Sequence, residues 1–419
     1  MLQSKLFCKT NKDTSNIEGD IGLQLLTRGD FIERLASGIY SFLPLGWRVM
    51  MKIEGIIRQE MNNINAQEVS LPSLQPKKIW QDSGRWESME PPLFKLKDQH
   101  KKDFALGPTH EEVITEIARK RIHSHKDLPV YLFQIQTKFR NEMRSTGGLL
   151  RTREFIMKDL YSFHSNKEDL KEYYDKVAQA YKEIFKRMEL NAIKVDALSG
   201  SIGGETSHEF MVASDLGEDK VYLCSSCGKA YSEEYLKANN ISQECPDCKV
   251  ALEEKTCIEA AHIFNLGDKY SSSLNLSFLS EKGEKQNVLM GCYGIGLGRI
   301  MAATVLANHD DRGIIWPKEI APFGVHILNL NVGIQDKAKL EKLYSSLKKQ
   351  GISVLYDDRE DISPGEKLIE ADLIGCPLRV IGSQKTMGQG SLELKSRKEK
   401  EAKIISLENC EKEIKSIIS

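Results

Sequence analysis

Charged and aromatic residues that could bind a nucleotide lie around one predicted hairpin. Arg140 and Glu142 are two residues apart on a predicted strand, so their side chains should project from the same face. Arg151 stands where the following loop rejoins the next predicted strand, and Phe155 lies four residues further on. Arginine can bind a phosphate or a carboxylate through two parallel hydrogen bonds, and an aromatic ring can stack on a nucleobase. For an isolated Arg-x-Glu pair, an ordinary charged surface hairpin is the first interpretation.

A glycine-rich segment runs from Met290 to Arg299 and reads MGCYGIGLGR. Its alternating glycines would let another backbone or a ligand approach closely. The segment is not a P-loop, because no Gly-Lys-Ser/Thr follows, and it lacks the G-x-G-x-x-G spacing of dinucleotide-binding loops. Arg299 begins the helix that the glycines introduce. An arginine at this position is well suited to bind phosphate.

Four of the nine cysteines form two C-x-x-C pairs, Cys224/Cys227 and Cys245/Cys248, separated by 17 residues. This spacing predicts a four-cysteine zinc ribbon. Four thiolates would complete a closed tetrahedral site, so the metal would be structural. The alternatives are a ribbon that folds without metal and, less favoured because there are two pairs, a redox-active C-x-x-C.

The hydrophobic pattern predicts the elements that position these residues. A helix is predicted at residues 46–63, with apolar side chains on one face. Strands predicted at 134–142 and 153–163 form an antiparallel hairpin, and Ser165 is predicted to cap the next helix.

From Val325 onward the pattern alternates between strands and helices. Strands are predicted at 325–331, 352–356 and 378–381, and helices between Asp336 and Gly351 and at 366–374. Such alternation predicts a small α/β domain with a mostly parallel sheet.

The composition is that of a soluble globular protein. Of the 419 residues, 40% are hydrophobic and 28% are charged, and the net charge is -1, which excludes a disordered chain and a globally basic nucleic-acid binder. No apolar run approaches the roughly 20 residues of a membrane span, and the N-terminal segment lacks the apolar core of a signal peptide. We therefore expect a cytoplasmic protein whose cysteines are mostly reduced.

Six segments, in the same order along the chain, together resemble the class II aminoacyl-tRNA synthetases, and most closely the prolyl-tRNA synthetases of the bacterial type. The segments are Leu43–Gly46 with the helix and strand that follow it to Pro72 (motif 1), the Arg140–Phe163 hairpin (motif 2), Gly291–Arg299 (motif 3), Gly107–Glu111 (the proline-recognition loop), Ser207–Phe210 (a pocket segment), and 357–377 (the anticodon-binding domain).

The resemblance implies an α/β (α+β) fold with an antiparallel-sheet catalytic domain and a C-terminal α/β anticodon-binding domain. It implies a homodimer, formed through motif 1. The expected domains are a first catalytic part at 1–215, a zinc-ribbon-like insertion at 216–258, a second catalytic part at 259–320 and an anticodon-binding domain at 321–419.

The implied activity is ATP-dependent ligation of L-proline to tRNA(Pro) through prolyl-adenylate, with Mg²⁺ bridging the phosphates of ATP. By resemblance, Arg140 and Arg299 are catalytic: Arg140 binds the α-phosphate and the amino-acid carboxylate, and Arg299 covers adenine with its charge near the γ-phosphate. Glu142 reads the adenine amino group, Phe155 stacks on adenine, and Arg151 holds the γ-phosphate.

The resemblance also implies the residues that bind proline and the anticodon. Thr109 and Glu111 bind the cationic secondary amine, which requires acceptors. The candidates for the ring pocket, each of which could equally be a core residue, are Met157, Tyr161, His208, Phe210 and Cys292. The candidates for anticodon contacts are Arg359, Lys367 and Asp372.

Two departures from the family pattern have consequences. The motif 2 loop contains Ser145-Thr146-Gly147 where the family has Pro-Arg-Phe, which removes a cation that would contact the tRNA acceptor end; Arg144 is a substitute. Only about 45 residues occupy the place of the family's large editing domain, too few for a hydrolase domain. We therefore expect a short form without cis-editing of alanyl-tRNA that depends on a separate trans-editing deacylase.

Two alternative functions stay open. One is a non-catalytic, tRNA-binding paralogue of the same fold, and the other is a class II synthetase for a different amino acid. The full set of five nucleotide-site residues argues against the first, and Glu111 with the Ser207–Phe210 segment favours proline over the second.

Overall fold

The computed structural model describes residues 1–11, 20–143, 145 and 147–418. The chain divides into two compact units. The first unit consists of Met1–Leu35, Tyr40–Ile53 and Thr304–Ser419, and the second unit of Ala36–Ile39 and Glu54–Ala303.

The helices of the described residues are α1 (Ile21–Arg28), α2 (Pro44–Asn63), α3 (Lys77–Asp82), α4 (Glu111–Arg119), α5 (Lys167–Arg187), α6 (Glu233–Ala238), α7 (Lys269–Ser273), α8 (Leu297–Ala307), α9 (Ile334–Lys349), α10 (Pro364–Ile374), α11 (Gln384–Met387) and α12 (Leu407–Ile418). Within this described part of the chain, no helix combines the length and the apolar composition that a membrane span requires.

The strands are β1 (Ile32–Ala36), β2 (Ile39–Phe42), β3 (Gln67–Glu68), β4 (Leu74–Pro76), β5 (Phe94–Lys97), β6 (Asp103–Leu106), β7 (Val130–Phe139), β8 (Glu154–His164), β9 (Ala192–Ala197), β10 (Thr206–Ala213), β11 (Asp219–Leu223), β12 (Ala230–Ser232), β13 (Glu253–Gly267), β14 (Ser277–Leu279), β15 (Lys285–Asn287), β16 (Leu289–Gly296), β17 (His309–Asp310), β18 (Gly313–Ile314), β19 (Val325–Leu330), β20 (Val354–Asp357), β21 (Leu378–Ser383), β22 (Ser391–Ser396) and β23 (Lys403–Ser406).

A nine-stranded sheet forms the centre of the second unit, in the order β10-β9-β12-β11-β13-β16-β8-β7-β3. Strands β7, β8, β16 and β13 lie side by side in this order, and each is antiparallel to the next. The predicted hairpin (β7 and β8) and the glycine-rich segment (β16) are therefore neighbours. Helix α5 packs over β8, β13 and β16. This helix buries Val177, Tyr181 and Ile184 against the sheet, as its apolar side predicts.

In the first unit, the C-terminal part contains a five-stranded sheet in the order β20-β19-β21-β22-β23. Strands β20, β19 and β21 are parallel, which confirms the α/β pattern predicted from Val325. Strands β22 and β23 add antiparallel edges that the pattern did not predict. The core of this domain includes Val325, Leu340 and Tyr356 together with Cys410 and Ile414 of α12.

Some predicted boundaries differ from the structure. Strand β7 ends at Phe139, because the next residues turn away from the ladder after the Arg140 amide bonds to the Arg153 carbonyl at 2.8 Å. The cap of α5 is Asn166 instead of Ser165, since the Asn166 side chain accepts from the Asp169 amide.

The cysteine-containing segment shares the central sheet. Strand β11 pairs with β13, and Tyr231 of β12 lies opposite Asp196 of β9. Strand β13 runs continuously through the boundary predicted at residues 258/259. The cysteine-containing segment therefore contributes β11 and β12 to the nine-stranded sheet.

Candidate active site

A cavity of about 360 Å³ lies within the second unit, over the sheet formed by β7, β8, β16 and β13. Most of the residues singled out in the sequence line it. Those are Thr109, Glu111, Arg140, Glu142, Arg151, Phe155, Met157, Cys292 and Arg299. The structure thus brings together residues from three separate segments of the chain.

Arg140 directly follows β7 and lines the cavity. Its guanidinium lies 5.1 Å from the centre of the Phe155 ring, in cation–π range. Its Nε is buried and has no hydrogen-bond partner among the described residues. Burial, and next the neighbouring Arg299 guanidinium, lower the pKa of Arg140. An anionic ligand in the cavity would stabilise the charged form of Arg140 against both effects.

Glu142 and Arg151 approach each other at the rim of the cavity. The Glu142 amide donates to the Arg140 carbonyl at 2.8 Å, so a tight turn, and not the predicted strand, connects these two residues. The side chains of Arg140 and Glu142 both line the cavity. Arg151 is half-exposed, with its Nε 3.8 Å from a Glu142 carboxylate oxygen and Nη1 3.9 Å from one of Glu218. These long distances leave the Arg151 donors available to a ligand.

Arg299 lies in the first turn of α8, directly after β16. Its Nε donates to the Leu150 carbonyl at 3.0 Å, and its Nη1 donates to the Glu259 carbonyl at 3.0 Å and carboxylate at 2.5 Å. The carbonyl and the carboxylate therefore fix the direction of the side chain. Of the glycines before it, Gly291 has a packing reason, because a Cβ there would lie 2.2 Å from the Tyr293 hydroxyl.

Glu111 also lines the cavity, and its side chain is fully buried. Thr109 donates its hydroxyl to the Glu111 carboxylate, at 2.8 and 2.7 Å from the two oxygens. The Cys292 thiol donates to Oε1 at 3.1 Å, and Arg85 donates to Oε2 at 3.2 Å. Burial, and next Glu111, raise the pKa of the Cys292 thiol, so it is a neutral donor.

A buried polar network underlies the floor of the cavity. The Asp159 carboxylate, which lines the cavity, lies 2.9 Å from Lys138 Nζ and accepts from Gln134 and from the Tyr161 hydroxyl, each at 2.9 Å. The Tyr161 hydroxyl in turn accepts from the His110 amide at 2.9 Å. Burial lowers the pKa of His110 to about 4, so its imidazole is neutral near pH 7.

A second carboxylate cluster stands beside Arg299. The ligand atoms of Glu209, Glu259 and His262 lie within 4.8 Å of one another, a set that could hold a metal ion. Glu259 and His262 line the cavity. Burial, and next the Glu259 carboxylate, raise the pKa of Glu209 well above its ordinary value.

Three of the ring-pocket candidates do not line the cavity. Tyr161 lies below it as part of the Asp159 network. Phe210 is in the hydrophobic core, 5.3 Å from Tyr181 between ring centres. His208 bonds to the Tyr174 hydroxyl at 2.6 Å and lies 2.9 Å from Asp196. His208 and Phe210 are two residues apart on β10, so both face α5, where they contact Tyr174 and Tyr181. Neither residue belongs to the ring pocket.

Sequence reasoning missed Arg85, Asp159, Glu259 and His262. Asp159 and Glu259 sit on strands predominantly composed of buried residues, where a lone carboxylate is an unusual choice that could have signalled a site. Arg85 lies in a loop without any motif, and only the fold brings it to Glu111.

The four cysteines converge as the spacing predicts. The sulfur atoms of Cys224, Cys227, Cys245 and Cys248 all lie within 4.8 Å of one another. Both pairs form the same knuckle: the residue four positions after the first cysteine, Gly228 or Lys249, has a positive φ and donates its amide to that cysteine's carbonyl.

The three anticodon candidates take part in internal interactions of the first unit. Arg359 pairs with Asp357 at 2.8 Å and Glu370 at 2.6 Å. Lys367 is fully buried and donates to main-chain carbonyls, including that of Asn329 at 2.6 Å. Asp372 lies 3.1 Å from Arg379. In this arrangement Lys367 supports the fold and is not presented to a ligand. Arg144 and Thr146 of the motif 2 loop lie outside the described residues.

Comparison with known families and proteins identifies relatives over the whole chain. The family described as tRNA synthetase class II core domain (G, H, P, S and T) matches residues 94–309, and the anticodon binding domain family matches residues 324–417. The Proline--tRNA ligase of Dehalococcoides mccartyi strain 195 is 34% identical over 557 aligned positions, covering 98% of this chain and 97% of the relative. That of Thermotoga maritima is 33% identical and covers 98% and 96%.

Solved structures share the fold. A prolyl-tRNA synthetase from Cryptosporidium parvum, complexed with L-proline and AMP, superposes with a TM-score of 0.78 at 20% identity, over 95% of this chain and 77% of that one. The same enzyme with halofuginone and AMPPNP gives the same TM-score. The alignment to the bacterial relatives spans more positions than this chain has residues, as expected of a short form. With a class II core, an anticodon-binding domain and full-length relatives above 30% identity, the chain belongs to the proline--tRNA ligase family.

Proposed function

We propose that this chain activates L-proline with ATP and transfers the prolyl group to tRNA(Pro). The proline carboxylate attacks the α-phosphorus and pyrophosphate leaves; the terminal ribose hydroxyl of the tRNA then attacks the prolyl carbonyl and AMP leaves. One observation carries the proposal: a single cavity is lined by two arginines, Arg140 and Arg299, and by the fully buried carboxylate of Glu111.

The two arginines suit the first step. Arg140 has a buried Nε without a hydrogen-bond partner among the described residues and lines the same cavity as Glu111, so the α-phosphate and the proline carboxylate would meet beside it. Arg299 adds a second positive charge to neutralise the phosphates. No residue needs to act as a covalent nucleophile, since positioning and charge neutralisation account for catalysis of this kind.

The remaining nucleotide contacts follow from the position of each residue. Phe155 presents a ring face beside Arg140, on which adenine stacks. Glu142 offers an acceptor to the adenine amino group, and Arg151 at the rim binds the γ-phosphate.

Glu111 and Thr109 are the acceptors for the secondary ammonium of proline. An uncharged pocket could not desolvate that cation, whereas a buried carboxylate compensates for its charge. Met157 and Cys292 also line the cavity and form the wall of the ring pocket.

Magnesium is the metal expected with ATP. Glu259 would supply a carboxylate ligand, and Glu209 and His262 lie next to Glu259. Carboxylate oxygens are the ligands Mg²⁺ prefers, and the raised pKa of Glu209 marks a place where a cation would be favourable. A bound Mg²⁺ would supply positive charge that neutralises part of the charge of the ATP phosphates.

Zinc fits the four cysteines. In a tetrahedral site with Zn–S bonds of about 2.3 Å, the sulfur atoms are about 3.8 Å apart. The Cys227 and Cys245 sulfurs are 3.8 Å apart. The zinc would be structural, and it would hold the ends of β11 and β13 where they join the catalytic sheet.

The partners follow from the same proposal. The anticodon-binding domain would contact tRNA(Pro), and α2, which exposes Trp47 and Met51, would form the homodimer. The chain would act in the cytoplasm. Between β10 and β13 the described residues contribute only β11, β12, α6 and connecting loops, so alanyl-tRNA would be cleared by a separate deacylase.

ATP–pyrophosphate exchange with each of the amino acids tests the proposal. Exchange with proline above all others, followed by prolyl-tRNA formation, is the expected result. Absence of exchange with every amino acid would favour the tRNA-binding paralogue, and exchange with another amino acid alone would favour a different class II synthetase.

A further inference from the structure

We propose that Arg85 and Glu112 are a charge-compensating pair that leaves Glu111 with one uncompensated negative charge for the secondary ammonium of proline. Both are positioning residues, acting through Glu111. The inference rests on the proposed function and assigns the determinant of amine recognition within it.

The three groups form one buried cluster. Arg85 Nη1 donates to Glu112 Oε1 at 2.9 Å and Oε2 at 3.2 Å, and also to Glu111 Oε2 at 3.2 Å. The Arg85 side chain is 5% exposed, and both carboxylates are fully buried. Ser83 donates a further hydrogen bond to Glu112 at 2.7 Å. Arg85 therefore lies closer to Glu112, which does not line the cavity, than to Glu111, which does.

With both carboxylates ionised, the charges of this cluster add up to minus one. Two carboxylates and one guanidinium leave a single negative charge, and buried charges need a compensating partner. Neighbouring lysines form no ion pair with either carboxylate among the described residues: Lys138 is paired with Asp159 at 2.9 Å, and the Lys269 ammonium donates to the Ile202 carbonyl at 2.8 Å. A monovalent cation in the cavity would complete the balance.

The hydrogen bonds lead to the same result. A carboxylate has about four acceptor positions. Thr109, Cys292 and Arg85 supply three donors to Glu111. About one position remains for an N–H donor from the cavity.

Aromatic rings hold Arg85 in place. Its guanidinium lies 5.1 Å from the Trp80 ring centre and 5.4 Å from the Tyr270 ring centre, and Nη2 contacts the Met89 sulfur at 3.0 Å. With these contacts the guanidinium cannot turn into the cavity, so it compensates Glu112 without occupying the position of the amine.

A double-mutant cycle tests the proposal, with KM and kcat measured separately for proline and ATP in the exchange reaction. Glu112→Gln leaves Arg85 to neutralise Glu111, so the KM for proline should rise about 10- to 100-fold, with the KM for ATP unchanged. Arg85→Gln should also raise it, because Glu111 then loses the hydrogen bond from Arg85 that positions its carboxylate. The double variant, Arg85→Gln with Glu112→Gln, has the same net charge as the wild type. Its KM for proline should be at least about tenfold lower than that of Glu112→Gln.

Glu116→Gln is the matched control: it removes a carboxylate paired with an arginine (Arg119, 2.7 Å) on the same helix, outside the cavity. It should leave the proline KM unchanged. An unchanged proline KM in Glu112→Gln overturns the proposal even if the Arg85 variants do not fold. A double variant whose increase in the KM for proline equals the product of the two single increases also overturns the proposal. Two independent structural effects would combine in that way. Wild-type protein without proline-dependent exchange would instead refute the proposed function.

Discussion

Arg140 and Arg299 come from the end of β7 and the start of α8, yet they line one cavity, and the positive charge of Arg299 contributes to lowering the pKa of Arg140. Arg299 is already paired with Glu259 at 2.5 Å, whereas the buried Arg140 Nε has no hydrogen-bond partner among the described residues. The ligand that this arrangement favours is an anion beside Arg140, which agrees with the phosphates of a nucleoside triphosphate.

Replacing Arg140 should stop amino-acid activation. We expect Arg140→Ala to reduce proline-dependent ATP–pyrophosphate exchange by about 100-fold or more, because a preorganised charged donor to the reacting phosphate is lost. Arg140→Lys should recover little, since lysine lacks the planar pair of donors. Arg121→Ala, which changes an exposed arginine of the same unit, is the control and should behave as wild type. Near wild-type exchange in Arg140→Ala would show that its assigned role is wrong.

Removing one cysteine of the cluster should release its metal. We expect one zinc per chain in the purified protein by elemental analysis, and much less in Cys227→Ser, together with a lower melting temperature, because metal binding contributes to folding. Cys8→Ser is the control, as Cys8 is a free cysteine outside the cluster. A wild-type protein with no bound metal and four freely titratable thiols would exclude the zinc site.

The pH dependence of stability should report on Glu209. Burial, and next Glu259, raise its pKa, so between the ordinary carboxyl range and the raised pKa the folded protein holds a proton that the unfolded chain has lost. Stability contributed by this group is therefore lost as the pH rises through that window. Without metal or ATP, Glu209→Gln should be more stable than wild type near about pH 8 and differ less near about pH 5.

Thermal denaturation in the presence of a chelator measures this difference. Glu281→Gln, an exposed carboxylate, should show no such pH-dependent gain. A Glu209→Gln variant that loses stability equally at both pH values would contradict the assignment.

Alanine should be activated at a low rate and not edited. Each methylene missing from the substrate is worth only about 1–3 kcal/mol of discrimination. We expect the purified chain to show measurable alanine-dependent exchange and to leave alanyl-tRNA(Pro) intact until a deacylase is added. Hydrolysis of alanyl-tRNA(Pro) by the purified chain alone would refute this prediction.

The sequence predicted those parts of the site that local motifs specify. Arg140, Phe155 and Arg299 were found because each belongs to a short segment with a recognisable pattern, and the two C-x-x-C pairs were found because a metal site constrains ligand spacing. The α/β pattern after Val325 could be predicted because the spacing of hydrophobic residues changes each time a strand gives way to a helix.

What the sequence did not predict depends on contacts between distant segments. Arg85 meets Glu111 only because α3, α4 and the loop between them pack together, and no spacing rule encodes that contact. His208 and Phe210 were assigned to the pocket from a segment resemblance, but the register of β10 against β9 and β13 decides which face each one occupies. Lys367 could not be recognised as a buried, internally bonded lysine before the fold was known.

Binding of a non-hydrolysable prolyl-adenylate analogue tests the central claim most directly, because one molecule then occupies both ends of the cavity. We predict that one analogue binds per chain by isothermal titration calorimetry, far more tightly than proline or ATP alone, and that Arg140→Ala and Glu111→Gln each weaken it. An analogue that binds no better than ATP, or binds equally well when Glu111 is replaced, would contradict a shared site for the two substrates.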